Sequence, residues 1–348
     1  MGQLIYSEAE LYSDCEYDQL HEIQGQRLHG GIDASGNYVS PRSKGRAEAI
    51  AAWTRALVER GGELFEAHAS LLSGPRMPNV AQQRLLLSEN VSRPFWNGLT
   101  VTGKIEGRGR VLAEMAFPDL QNIIVEDISE MALGHLNKGL LAIHGIDEGG
   151  EPEKGIGGHD VMWFVARDLV FDADAHPDVE PPGNIARPEA GERFMPEIDQ
   201  PYEGMLSFLM NLLLIEFRAE IGFAATQEVL RTQALFTDRR ANAEEAADLV
   251  GRIRLDEEIH VESLRLYLGE FRELTVKTLD GGTVSGRELT DRFWDGLVGW
   301  ATVEQPKIAA ENQYQVLKPM ILSHPEGVRI LAEFDALGDT RVAEVSAG

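Results

Sequence analysis

Two long helix-like runs, residues 203–236 and 243–274, are separated by only six residues, 237–242. Apolar residues recur at helical spacing through both. So short a link forces the two helices to lie antiparallel, and the fold must be built on this hairpin. With the turn near residue 239, Glu216 stands about 23 residues before it and Glu257 about 18 after it. At a rise of ~1.5 Å per residue, the two come within one or two turns of the same level. Glu216 follows the apolar run Leu212, Leu213, Leu214 and Ile215. An ionised carboxylate buried there without a partner is costly. The facing stretch, Asp256-Glu257-Glu258-Ile259-His260, sets a carboxylate and an imidazole three residues apart on one helix face. That spacing lets both reach one ion. Chance supplies roughly one such pair in a chain this acidic, and a solvated helix face is its plain alternative.

Composition narrows the function classes. The chain has 348 residues and a net charge of −25. That size allows a substantial core, and that charge argues against a nucleic acid or an anionic membrane as partner. A single cysteine, Cys15, rules out a disulfide framework or a thiolate metal cluster within one chain. The first residues lack the basic and apolar regions of a secretory signal. The longest apolar run, 205–215, is too short to span a bilayer. A cytoplasmic protein is therefore expected.

Along the chain, residues 1–43 read as a polar, Gly-rich extension with a turn between extended pieces at 30–39. Ile50, Trp53, Leu57, Leu64 and Leu71 recur at helical spacing within 44–72, and Ser73-Gly74-Pro75 closes that helix. The Gly61-Gly62 pair either allows close helix approach or marks a break. A shorter helix is predicted over 79–90, and an alternating strand over 99–105. A second long helix is predicted from Pro118 to His144, ended by Gly145, and a third over 160–172. Residues 172–201 read as a loop, 278–284 as a β-turn, and 287–338 as two or three helices before a frayed end.

A weak internal repeat adds to the hairpin. Leu57-Val58-Glu59 aligns with Leu214-Ile215-Glu216, and Glu126-Asp127-Ile128-Ser129-Glu130 aligns with Asp256–His260. The order is Glu59 then Asp127/Glu130, followed by Glu216 then Glu257/His260. In this the chain resembles the ferritin-like di-iron carboxylate superfamily, to which rubrerythrin belongs. Glu216 with Ala219 at +3 and Phe223 at +7 is similar to the family's third-helix pattern, and Glu257-x-x-His260 to its fourth. Glu59 matches less closely, and Asp127-x-x-Glu130 departs from the Glu-x-x-His pattern.

The resemblance covers residues 44–275 and implies a mainly α chain. Its centre would be a four-helix bundle carrying insertions at 73–117 and 145–201, with a helical extension over 276–348 and small β-hairpins. It implies a metal site of Glu59, Asp127, Glu130, Glu216, Glu257 and His260 holding two iron ions, or iron and manganese. Glu63 and Glu66 stand as alternatives to Glu59. So many oxygen donors suit iron or manganese, and five carboxylates nearly match two trivalent ions. The implied activity is an O₂-dependent oxidase or oxygenase acting on a small molecule. The alternatives are ferroxidase-type iron handling and a metal-free scaffold. Bundles of this kind often associate, so a homodimer is expected by analogy. His135, His144, His159 and His176 read as ordinary core or surface histidines, and no motif names an organic substrate.

Overall fold

The computed structural model describes residues 4–67, 71, 76–183, 185–187, 191 and 193–344. It is mainly helical, 63% helix, with small antiparallel sheets. In chain order the elements are α1 (Glu8–Leu11), β1 (Gln19–Ile23), β2 (Gln26–Ile32), β3 (Tyr38–Val39), α2 (Glu48–Glu59), α3 (Val80–Ser88), α4 (Arg93–Gly109), α5 (Leu140–Gly149), α6 (His159–Val170), α7 (Gln200–Leu230) and α8 (Arg240–Arg272). A hairpin of β4 (Thr275–Lys277) and β5 (Thr283–Ser285) follows. Then come α9 (Gly286–Gly299), α10 (Gln305–Leu322) and α11 (Gly327–Glu344).

The hairpin of α7 and α8 is the spine. The two helices are 31 and 33 residues long and pack along each other. Pro201 at the start of α7 suits a first turn whose N–H groups lack partners anyway. α6 lies on α8, α4 on α6, and α5 against α4 and α6. Two apolar clusters divide this assembly. One holds the first half of α7, including Met205, Leu206, Leu213 and Leu214, together with α2, α5, α9 and the end of α8 from Leu264. The other holds Phe223 to Leu230 of α7, the start of α8 up to Ile253, and α4 and α6. Between them, from Glu216 on α7 and from Asp256 to His260 on α8, lies a buried polar layer.

The N-terminal sheet, ordered β1-β2-β3, is tied into this layer. Its β1–β2 turn uses positive φ at Gln24 and Gly25, which matches the twist of a tight hairpin. His29 N–H donates to Gly157 O and Gly157 N–H to Arg27 O, both at 2.9 Å. β2 therefore grips the loop before α6 and sets His29 beside His159. A π-helical turn, Ser43–Ala47, then carries Arg46 inward.

Three sequence expectations are corrected. Residues 99–105 are not a strand but the middle of α4. Its buried positions Phe95, Trp96, Leu99, Thr100 and Gly103 have helical spacing. A Cβ at Gly103 would meet the Phe164 ring at 2.8 Å, so α4 and α6 need glycine there to approach. Residues 118–144 are not one helix. Val125 N–H donates to Thr275 O at 2.9 Å and Lys277 N–H to Ile123 O at 2.7 Å. These backbone groups pair with β4 instead, leaving short 3-10 turns at Leu120–Asn122 and Ala132–Lys138. Gly145 does not end a helix but sits inside α5, where a Cβ would lie 2.5 Å from Ala113 N. The helix over 44–72 ends at Glu59, with Gly61 at φ +84° making the break. Its expected closure at 73–75 lies outside the described residues.

Candidate metal centre

Among the described residues, seven side chains of types that can ligate a metal converge in the polar layer. They are Glu106 from α4, His144 and Glu148 from α5, His159 from α6, Glu216 from α7, and Glu257 and His260 from α8. His144 and Glu148 are one turn apart on α5, as Glu257 and His260 are on α8, so each pair faces the same way. They form two groups whose ligand atoms lie within 4.8 Å of one another. One is His144, Glu148, Glu216 and His260; the other is Glu106, Glu148, His159 and Glu257.

Two carboxylates join the groups. Glu148 Oε1 lies 3.2 Å from His260 Nδ1, 3.5 Å from His159 Nδ1 and 3.7 Å from His144 Nε2. Glu257 presents Oε1 to His159 Nδ1 at 3.1 Å and Oε2 to His260 Nδ1 at 2.9 Å. Glu216 Oε1 is 3.2 Å from His144 Nε2, and Glu106 Oε2 is 3.5 Å from His159 Nδ1. The rings of His144 and His260 stack with centroids 3.8 Å apart.

An outer ring of side chains fixes the two pivotal imidazoles. His260 Nε2 lies 3.2 Å from Asp147 Oδ2, and that carboxylate is gripped by Arg46 at 2.6 Å and Arg42 at 3.1 Å. His159 Nε2 lies 3.3 Å from Asp256 Oδ2, which also receives Tyr38 Oη at 2.7 Å and faces His29 Nε2 at 3.1 Å. An ionised carboxylate only accepts. Each ring therefore carries a proton on Nε2, and its Nδ1 points among carboxylates, the arrangement that outer carboxylates impose on metal-binding histidines.

Electrostatics make the same layer untenable without cations or protons. Burial opposes the charged form of Asp147, but Arg46 and Arg42 outweigh it and hold its pKa well below the ordinary value. Burial likewise opposes the charges on His159 and His260. Glu148 and Glu257 outweigh it for His159, and Glu257 with Asp147 does so for His260, so both sit well above the ordinary value. Glu106 is pushed well up by burial and by Glu148, and Glu216 by burial and by Glu257. His144 is pushed down to about 3 by burial and then by His260. Without a metal, this layer keeps protons that solvent-exposed groups would release.

The residues present fit a metal. Glu106 Oε2, Glu148 Oε1, His159 Nδ1 and Glu257 Oε1 are all buried without a hydrogen-bond partner, and each comes from the second group. Three carboxylate oxygens lie 3.1–3.5 Å from the one His159 Nδ1, which can carry a single proton among them, so the cluster costs stability unless a cation sits there. Four carboxylates and three imidazoles suit iron, manganese or zinc, and the four negative charges balance two divalent ions. That replaces the five-carboxylate, one-histidine set expected from the sequence, which favoured trivalent ions.

Glu216, Glu257 and His260 of the sequence-derived set are brought together. The others are not. Glu59 is exposed at the end of α2, and Asp127 and Glu130 are exposed in the turns before α5, where Asp127 accepts Ser129 N–H at 2.9 Å. Glu63 and Glu66 are exposed as well. The aligned repeat therefore has no spatial counterpart. Glu106, His144, Glu148 and His159 were missed because they fall at an expected helix end and in stretches read as insertions. His144-x-x-x-Glu148 was the available signal, since i,i+4 spacing shares a face as i,i+3 does. Of the other histidines, His135 packs against Trp53 and Tyr6, and His176 meets Ser92.

Among the described residues, no helix is long and apolar enough to cross a membrane. No family model matches the chain, and no curated protein or solved structure matches it either.

Proposed function

We propose that this chain is a non-haem di-metal carboxylate protein of the ferritin-like kind, with iron or an iron and manganese pair at its centre, and that it acts as an O₂-dependent oxidase or oxygenase on a small molecule. The single observation that carries this reading is the set of four orphaned buried ligand atoms, Glu106 Oε2, Glu148 Oε1, His159 Nδ1 and Glu257 Oε1. The bundle would be α4, α6, α7 and α8, with α5 contributing the shared Glu148 from beside it.

One ion would be held by Glu106, His159 and Glu257, the other by His144, Glu216 and His260, with Glu148 available to either. When bound, such a pair supplies redox equivalents and a Lewis acid for O₂ and substrate. The chain's own part is to orient and insulate. Asp147 and Asp256 hold the Nε2 protons of His260 and His159, so both Nδ1 atoms stay directed inward, where a cation would displace their protons. Arg42 and Arg46 keep Asp147 ionised for that role. The apolar clusters on both sides keep bulk water away from the layer.

The test is reconstitution with ferrous iron under argon, followed by O₂ consumption. Stoichiometric uptake that disappears in Glu148→Gln is expected. Uptake no faster than free ferrous iron at the same concentration would refute an O₂-reactive centre.

A further inference from the structure

A cavity of about 560 Å³ lies between α3, α4, α7 and α10. That is the size of a pocket for a small organic ligand. Leu86, Phe95, Leu99, Phe223, Leu317 and Met320 supply much of its wall. Among the described residues its lining carries two charged side chains, and one of them, Glu180, is already paired with Lys104 at 2.6 Å. The other, Arg76, reaches Arg218 O at 3.4 Å.

The cavity and the ligand layer share two helices. Thr102 lines the cavity one turn before Glu106 on α4, and Ala219 lines it one turn after Glu216 on α7. Residual exposure within the seven ligands follows the same geography. The side chains of Glu106 and Glu216 are 10% and 9% exposed, whereas those of His159 and His260 are 0% and 1%. The least covered ligands are those on the cavity-lining helices.

We infer that this cavity binds an uncharged, largely apolar small molecule and delivers one end of it to the Glu106–Glu216 face of the metal centre. A charged substrate would have to leave water for a largely apolar wall, at a cost that an alkyl or aryl group does not meet. Polar groups at Thr102 and Thr226 suffice to orient a single hydroxyl or carbonyl. The inference rests on the di-metal reading for the identity of what the substrate meets, but not for the binding itself.

The experiment uses decan-1-ol and decanoate as probes on the manganese-loaded chain, by calorimetry and by proton relaxation of the probe. Decan-1-ol is expected to bind one to one and at least ~10-fold more tightly than decanoate. Bound manganese should shorten the relaxation times of its protons unequally along the chain, most at one end. Ala219→Trp fills the cavity next to Glu216, and Gly98→Phe fills it from α4, where an added Cβ meets nothing within 4 Å. Each should weaken decan-1-ol by ~10-fold or more while manganese content is unchanged. No saturable binding, equal affinity for decanoate, or affinity untouched by both variants overturns the inference. Manganese that binds without affecting the probe's relaxation overturns the link to the centre and leaves the di-metal reading standing. Failure to bind either manganese or ferrous iron overturns both.

Discussion

His260 Nε2 lies 3.2 Å from Asp147 Oδ2, on a carboxylate that Arg42 and Arg46 hold ionised. The contact joins α8 to α5 and, through the arginines, to the π-helical turn before α2. It fixes which nitrogen of His260 is left to face Glu148 and Glu257. Asp147→Asn keeps the shape and removes the charge. Metal affinity should fall by ~10- to 100-fold, the usual cost of losing an outer carboxylate on a ligating histidine. Stability should fall too, by roughly 3 kcal/mol, because the buried Arg46 guanidinium loses its carboxylate while Arg42 keeps Glu151 at 3.8 Å. Equilibrium dialysis and denaturant titration read the two effects separately.

Metal binding should release protons. His159 and His260 hold theirs above the ordinary value of 6.5, and Glu106 and Glu216 hold theirs above 4.5. Cations must displace these protons, so affinity rises with pH through and beyond neutrality and falls in acid. Calorimetry in buffers of different ionisation enthalpy counts the protons. A count of zero at pH 7 would contradict the protonated layer.

Exposed and buried carboxylates should separate cleanly under mutation. Glu59→Gln, Asp127→Asn and Glu130→Gln should leave metal content at the wild-type level. Glu148→Gln and Glu216→Ala should lower it, Glu148→Gln the more because its carboxylate belongs to both groups. Metal analysis of the five variants checks this, and a loss in the first three and in Glu216→Ala, with Glu148→Gln unaffected, would restore the repeat-based assignment.

Glu270 offers a test of the fold away from the centre. It is buried, accepts Leu133 N–H at 3.0 Å, and faces Arg60 at 3.5 Å. Burial pushes its pKa up to about 7 from 4.5. The native state therefore binds more protons than the unfolded chain between these values. Its contribution to stability is full below pH 4.5 and is lost as pH rises towards 7, by about 3 kcal/mol at most. In Glu270→Gln this part of the pH dependence should vanish, which denaturant unfolding at pH 5 and pH 7.5 measures.

The helical hairpin and its three candidate ligands were legible in the sequence because their signals are local. α7 and α8 have long apolar periodicity, Glu257 and His260 share a face, and Glu216 breaks an apolar run. The first half was not legible, because its ligands are set by tertiary contacts. Glu106 lies in a Gly-rich stretch whose glycines serve the approach of α4 to α6, and those glycines hid the helix. Residues 123–125 look helical but pair with β4, which moves the helix that matters to α5 and brings in His144 and Glu148. His159 depends on β2 gripping Gly157, a contact between segments some 130 residues apart that no local pattern records.

The most direct measurement is the metal content of the purified chain after anaerobic loading with ferrous iron or manganese and removal of the excess. About two ions per chain are expected, the number that four carboxylates balance. His159→Ala should retain the ion of the His144 group and lose the other. Less than one ion per wild-type chain, or full occupancy in His159→Ala together with Glu148→Gln, would contradict a di-metal centre at this site.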